Sequence, residues 1–232
     1  MTSQNEFTVG MLLFTIVYVL FFPALMFVLA GDMHWIELWV FSAWFIAICF
    51  GSVAWLYKRD PALLMERYRK PGTGEQRSWD VYVVYLIEII FFAWMILMPL
   101  DARRFHWSPV LPLWLEAVGG ALLLVASFFL VRAFADNTFL SPLVRLQSER
   151  NHQVVSTGVY GIVRHPMYLG AVALFLGAPL LLGSLVGIAI GVATCFLLAG
   201  RIIGEEKMLR QELAGYAEYQ TRVRYRLIPL VW

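Results

Sequence analysis

Charge is scarce in this chain. Asp, Glu, Lys and Arg make up 15% of its 232 residues, against about 25% in an ordinary water-soluble domain. Polar stretches are also short, so none can fold as a separate soluble catalytic domain of about 50 residues or more. Any active site must therefore be assembled from helix ends and loops. Neither sign of charge predominates: the net charge is +2, and the basic residues are divided among several loops, which excludes the concentrated basic face of a nucleic-acid-binding protein. Only two cysteines occur, Cys49 and Cys195. Each lies inside an apolar run, which suits packing rather than a disulfide framework or a metal site. The first residues, Met1-Thr-Ser-Gln-Asn-Glu-Phe7, lack the basic start of a secretory signal. The apolar run behind them is too long for a cleaved one, so it is expected to persist as a first span. There is no repeat of solenoid period and no low-complexity tract.

What the chain has in excess is apolar length. Hydrophobic residues make up 60% of it, and mean hydropathy is +0.70. Apolar segments run over Val9 to Ala30, Ile36 to Tyr57, Val81 to Leu100, Leu111 to Phe134, Met167 to Leu182 and Leu185 to Ile203, most of them close to the roughly 20 residues needed to cross a bilayer. The expected fold is all-α: a polytopic membrane protein with six transmembrane helices. The last two are expected to form a tight hairpin where Gly177-Ala-Pro-Leu-Leu-Leu-Gly-Ser184 breaks the run. Lys and Arg near span ends set the orientation. Lys58, Arg59, Arg67, Arg69, Lys70 and Arg77 occupy one loop, Arg145, Arg150 and Arg164 another, and the tail after Gly204 is basic. With six spans these facts put both termini in the cytoplasm, with Arg103 and Arg104 discordant on the outer side. Pro61 to Lys70 mixes apolar and basic residues, as an interfacial helix on anionic lipid does; an ordinary solvated linker is the alternative. The expected division is a four-span region over 1–134, with its basic loop at 58–79, and a cofactor-binding region over 135–232.

The second region carries the chemistry. Arg164-His165-Pro166 stands at the mouth of an apolar run, and Arg201, Glu205 and Glu206 follow that run. An ionisable group set against hydrocarbon costs several kcal/mol unless paired, solvated or used, so these residues are functional candidates. The hairpin returns the chain to one membrane face, where the two groups can converge. Arg201 and Glu205, four residues apart, share a helix face, while Glu206 is rotated by about 100°. The plainer reading of Arg201 and Glu205 is an intrahelical salt bridge. Pro166 suits the first turn of a helix and restrains His165 to an extended backbone, which leaves helix-start N–H groups able to hold an anion.

The ordered set His152, Val155, Thr157-Gly158-Val-Tyr160, Val163-Arg-His-Pro-Met-Tyr168-Leu-Gly170, Arg201-x-x-x-Glu205-Glu206, Gly215-Tyr-Ala-Glu-Tyr219 and Arg226-Leu-Ile-Pro229 resembles the isoprenylcysteine carboxyl methyltransferase family. That family belongs to a wider group of integral membrane methyltransferases that includes phospholipid N-methyltransferases. Upstream, Trp79-Asp80 and Asn137-x-x-x-Ser141 look like bacterial members of the group, which implies a bacterial inner membrane. The resemblance further implies S-adenosylmethionine as methyl donor, in a cytoplasmic pocket closed by the C-terminal segment, and a lipophilic acceptor entering from the bilayer. Its implied cofactor shell is His152, Val155, Gly158, Tyr160, Arg164, His165, Pro166 and Tyr168. Glu205 or Glu206 would meet the ammonium or ribose hydroxyls, and Arg201 would orient an anionic acceptor, with Arg201 and Glu205 as the catalytic pair. No metal, and no partner beyond lipid and substrate, is implied.

The acceptor stays open at this level. A carboxylate is already ionised and needs only alignment, whereas a phospholipid amine must lose a proton to a glutamate or histidine. A nicotinamide-dependent membrane reductase has a similar C-terminal architecture but would need a longer chain. A non-enzymatic transport or structural protein would leave the ordered polar set unexplained. Trp232 reads as an interface anchor.

Overall fold

The computed structural model describes residues 7–232, so the opening Met1 to Glu6 lies outside the described residues. Within them the chain is helical, with no strand. Five helices are long and apolar enough to cross a membrane: α1 (Val9–Ala30), α2 (Ile36–Arg59), α4 (Ser78–Pro99, running on through a π-helical turn to Arg104), α5 (Leu113–Asp136) and α7 (Leu185–Glu212). A sixth apolar helix, α6 (Pro166–Leu182), is shorter. Two seven-residue helices, α3 (Pro61–Arg67) and α8 (Tyr216–Arg222), complete the set.

Local chemistry sets the boundaries. Thr8 Oγ1 accepts from Met11 N–H to open α1, and Gly31, in the left-handed region, closes it. Asp60 caps α3 through Leu63 N–H at 2.9 Å, with Pro61 in the first turn. Two boundaries differ from the sequence expectation. Helix α6 continues through Pro179 to Leu182, and only Gly183 and Ser184 turn the chain. The proline removes one N–H, that which would face the Phe175 carbonyl, and the backbone passes α7 closely at Gly191 there. Helix α7 runs nine residues past Ile203, because Met208 and Leu209 restore an apolar face beyond the two glutamates. At 1.5 Å per residue it is about 42 Å long, longer than the roughly 30 Å hydrocarbon layer.

The main core joins α1, α2, α4, α6 and α7 around Phe22, Met26, Leu38, Phe41, Trp94, Met95 and Met98. Large apolar side chains such as Val17, Ile89, Leu124 and Phe196 point outward, as lipid contact requires of a membrane bundle. Helices α5 and α6 form the most extensive pair. A side chain on Gly177 would come within 2.8 Å of Leu122 Cβ and 2.9 Å of the Gly119 carbonyl, so this crossing depends on bare backbone.

One end of the bundle is fastened by Asp101. Its buried carboxylate accepts from Ser108 Oγ, from Ser184 Oγ at 2.6 Å and from Val186 N–H at 3.1 Å, joining the end of α4 to the turn before α7. At the same end Arg103 pairs with Asp32 at 2.6 Å. One of the two discordant arginines is thus paired within its own end of the bundle. At the opposite end α3 docks onto protein: Leu63 and Leu64 pack with Leu56, Phe134 and Leu140. The segment is a helix, as its pattern suggests, but its leucines face inward.

Candidate functional site

The opposite end from Asp101 contains a cavity of about 330 Å³. Its walls divide by chemistry. Val84, Ile87, Ala171, Phe175 and Leu198 from α4, α6 and α7 make a wholly apolar wall; the 137–165 segment, the end of α7 and α8 supply most of the polar groups, set among apolar side chains.

The 137–165 segment has little regular structure and is held by specific bonds. Asp136, at the end of α5, accepts from Val159 N–H at 2.9 Å. Gly158 sits at φ 59°, and a Cβ there would overlap the Asp136 carboxylate, so only glycine lets this turn lie on the helix end. His152 stacks on Phe139 with ring centroids 4.8 Å apart, and its Nδ1 accepts from Gln147 N–H. Burial pushes the His152 imidazole down to about 4, aided by the charges of Arg145 and Arg150, so the ring is neutral at pH 7 with its proton on Nε2.

Arg164-His165-Pro166 is gripped from two sides. Arg164 N–H donates to the Tyr225 carbonyl and His165 N–H to the Arg226 carbonyl, both at 2.9 Å, while Arg164 Nη1 bonds the carbonyls of Val223 and Arg224. From α7, Glu206 accepts from Arg164 Nε at 2.6 Å and Arg226 Nε at 2.8 Å, and lies 3.2 Å from His165 Nε2. One buried carboxylate therefore ties the loop, α7 and the C-terminal segment together. The terminal Trp232 carbonyl accepts from Arg226 and Leu227 N–H, and its ring lies under the Arg226 guanidinium, so this residue packs on its own segment.

The two residues expected to form an i,i+4 pair have other partners. Arg201 donates from Nε to Asp80 Oδ1 at 2.7 Å, and from Nη2 to Asp80 Oδ2 at 3.1 Å and the Pro142 carbonyl at 2.7 Å. Asp80, in the first turn of α4, is fully buried; it also accepts from Gln76 Nε2 and Val144 N–H. Its position beside α7 explains the difference: it offers Arg201 a bidentate partner, which a glutamate on the same helix cannot match. Glu205 instead accepts from the Tyr168 hydroxyl at 2.8 Å.

Of the expected site residues, His152, Val155, Tyr160, Arg164, His165, Tyr168, Arg201 and Glu205 line the cavity. Gly158, Pro166 and Glu206 do not: the glycine shapes the loop, the proline starts α6, and Glu206 clasps from behind, beside a second cleft with Lys207 and Arg210. Sequence reasoning left out several lining residues. Arg67 comes from α3, Glu88 from α4, and Tyr216 and Tyr219 from α8. Tyr219 was quoted within a motif without a role; its hydroxyl bonds the Tyr160 carbonyl at 2.7 Å. Arg145 was counted only as loop charge. It pairs with the buried Glu66 of α3 through Nε at 2.9 Å and Nη2 at 3.0 Å, joining the two basic loops. Burial alone would raise the Glu66 carboxyl, but Arg145 and Ser141 outweigh it and hold the group below the usual carboxylate range.

Residues 114–214 match the family model described as phospholipid methyltransferase. Among curated proteins, the chain is similar to protein-S-isoprenylcysteine O-methyltransferase B of Arabidopsis thaliana, 29% identical over 60% of this chain and 65% of that protein. It is also similar to protein-S-isoprenylcysteine O-methyltransferase of Saccharomyces cerevisiae, 34% identical over 53% of this chain and 52% of that protein. The matched part thus spans less than two thirds of either relative. Among solved structures, the fold is similar to that of a eukaryotic intramembrane Ras methyltransferase, an isoprenylcysteine carboxyl methyltransferase, with a TM-score of 0.55 at 19% identity, over 94% of this chain and 75% of that one. These findings bear out the resemblance to the isoprenylcysteine carboxyl methyltransferase family.

Proposed function

We propose that this chain is an integral membrane methyltransferase that moves a methyl group from S-adenosylmethionine to the carboxylate of a lipophilic, isoprenylcysteine-like acceptor. The observation that carries the reading is the divided cavity: an apolar wall from α4, α6 and α7 faces a second wall, from the 137–165 segment, the end of α7 and α8, in which polar and charged side chains stand among apolar ones. A greasy acceptor reached from the membrane and a water-soluble donor can meet only in such a place.

The residues present fit the donor. Glu205 carries a carboxylate on the cavity wall whose recorded partner is a neutral tyrosine hydroxyl, which suits an ammonium or a pair of ribose hydroxyls. Neutral His152 and Phe139 offer a flat stacked face, suited to a heteroaromatic ring. S-Adenosylmethionine, when bound, supplies a methyl on a sulfonium; an acceptor oxygen takes it as the C–S bond breaks and the electron pair returns to sulfur. A carboxylate brings no proton to remove, so the chain's own work is to bind, desolvate and align, an effect worth up to about 7–11 kcal/mol. Arg201, held by Asp80, stiffens the floor between α4 and α7. His165 and Glu206 are engaged with each other and with two arginines, so a base for a phospholipid amine would have to come from Glu205, Glu88 or His152 on the cavity wall. The carboxylate reading is further supported by what the relatives are named for.

In the membrane, α1, α2, α4, α5, α6 and α7 would all span, with α6 and α7 as a hairpin and the shorter α6 covered by α5. The cavity end carries Lys58, Arg59, Arg69, Lys70 and Arg77, which supports placing it on the cytoplasmic side. Both ends of the chain would lie there, as in the bacterial inner membrane that the resemblance implies. Residues 1–134 would brace and complete a donor site centred on 135–232.

Calorimetric titration of the purified protein in detergent tests the reading. Saturable binding of S-adenosylhomocysteine, weakened tenfold or more by Glu205→Ala, is expected. Tight NADPH binding without S-adenosylhomocysteine binding would replace it with a reductase.

A further inference from the structure

We infer that Arg67 and Tyr160 form a carboxylate-receiving subsite in the cavity. The inference deepens the methyltransferase reading and rests on it. Two buried polar atoms of cavity-lining residues have no well-aligned hydrogen-bond partner among the described residues: Nη1 of Arg67 and the hydroxyl of Tyr160, which has the Asn137 side chain as a polar neighbour. Buried donors are nearly always satisfied, because one left bare has lost its water without gaining a partner. Two on the wall of one cavity mark a place where an acceptor atom belongs.

The charge inventory points the same way. Of the arginines on this wall, Arg145 is paired with Glu66 and Glu149, Arg164 with Glu206, and Arg201 with Asp80. Among the described residues Arg67 is in no ion pair. Its guanidinium lies over the Phe134 ring, 5.4 Å from the centroid, which covers one face and leaves the edge donors for a ligand. Burial pushes the Arg67 guanidinium down to about 10, and the nearby charge of Arg201 adds to this. The arginine is still charged at pH 7, and an anion placed beside it would relieve both effects. Burial raises the Tyr160 phenol above its ordinary range, so it is an O–H donor. A charged fork with a neutral hydroxyl suits the two oxygens of a carboxylate.

Either reactant brings such a group: the donor's amino-acid end or the acceptor. Full-length Arg67→Gln, Arg67→Lys and Tyr160→Phe variants in detergent separate the two. Each is titrated with S-adenosylhomocysteine and with 5′-methylthioadenosine, which lacks the carboxylate, and is assayed with N-acetyl-S-farnesylcysteine. If the subsite holds the donor, Arg67→Gln loses tenfold or more in S-adenosylhomocysteine affinity while methylthioadenosine binds as before. If it holds the acceptor, both nucleoside affinities stay and the acceptor KM rises tenfold or more. In either case Arg67→Lys recovers part of the loss, and Tyr160→Phe gives a smaller shift of the same parameter. Unchanged affinities and KM in Arg67→Gln would overturn the inference. So would equal loss of both nucleosides with a lowered melting temperature in Arg67→Gln and Arg67→Lys, which marks a purely structural arginine. Failure of the wild-type protein to bind S-adenosylhomocysteine would instead overturn the methyltransferase reading and this subsite with it.

Discussion

At the scale of single residues, buried charges at this site divide into those that hold structure and those left for ligands. The Asp80–Arg201 pair holds structure, and Arg201 also lines the cavity. Removing one partner strands the other in a low-dielectric interior, at a cost of about 3–5 kcal/mol. Asp80→Ala and Arg201→Ala are each expected to lower stability by that order in detergent unfolding. The double variant Asp80→Ala, Arg201→Met should cost less than the sum, because no charge is left unpaired; strictly additive losses would mean that the pair is not coupled. His152 gives a pH signature. Its folded value near 4 lies below the unfolded value of about 6.5, so the unfolded chain binds the proton more readily between them. The stability this neutral ring contributes is complete above pH 6.5 and lost as pH falls toward 4. Melting temperature should decline through that window, and His152→Gln should flatten the decline; an unchanged slope would show a solvated ring. The sequence made the 152–168 cluster legible because its members are near neighbours in one segment. Arg67 and Asp80 were not legible as site residues. Each is one charged residue in or beside a basic loop, and only packing distinguishes the Arg67 that faces a cavity from the Arg69 that pairs with Glu66.

At the scale of elements, helix positions were readable from apolar run length, since hydrocarbon demands it. Ends were less so. The apolar run of α7 stops near Ile203, yet the helix continues to Glu212, because Met208 and Leu209 keep one buried face while the opposite face turns polar. That extension carries Glu205 and Glu206 on rigid helix. Of the stretch Gly177 to Ser184 expected to break the run, only Gly183 and Ser184 turn the chain, and Gly177 is a packing site: a glycine serves close approach as well as turning, and composition cannot tell the two apart. Gly177→Val should force α5 and α6 apart, costing about 1–3 kcal/mol or more, read as a lowered melting temperature. Gly120→Ala on α5, where a Cβ meets open space, should leave it unchanged. Equal effects would show that the crossing is not backbone-tight.

At the scale of the whole molecule, the two ends of the bundle do different work. The Asp101 end is closed by saturated hydrogen bonds, while the other end holds a cavity whose second wall is stitched from four separate stretches of chain. Glu206 is the knot of that wall, joining the Arg164 loop, α7 and the C-terminal segment. Such stitching is invisible to a reading that follows the chain in order, though the charged residues that do it were among those flagged. The division into an apolar wall and one that carries the polar groups is what makes methyl transfer to a membrane-borne carboxylate the function that the molecule suits best. The most direct test is to incubate purified protein with methyl-labelled S-adenosylmethionine and two acceptors, N-acetyl-S-farnesylcysteine and phosphatidylethanolamine vesicles. Label on the prenylcysteine, released as methanol by mild base, is the predicted result. Base-stable label on the phospholipid amine, or none on either acceptor, would contradict it.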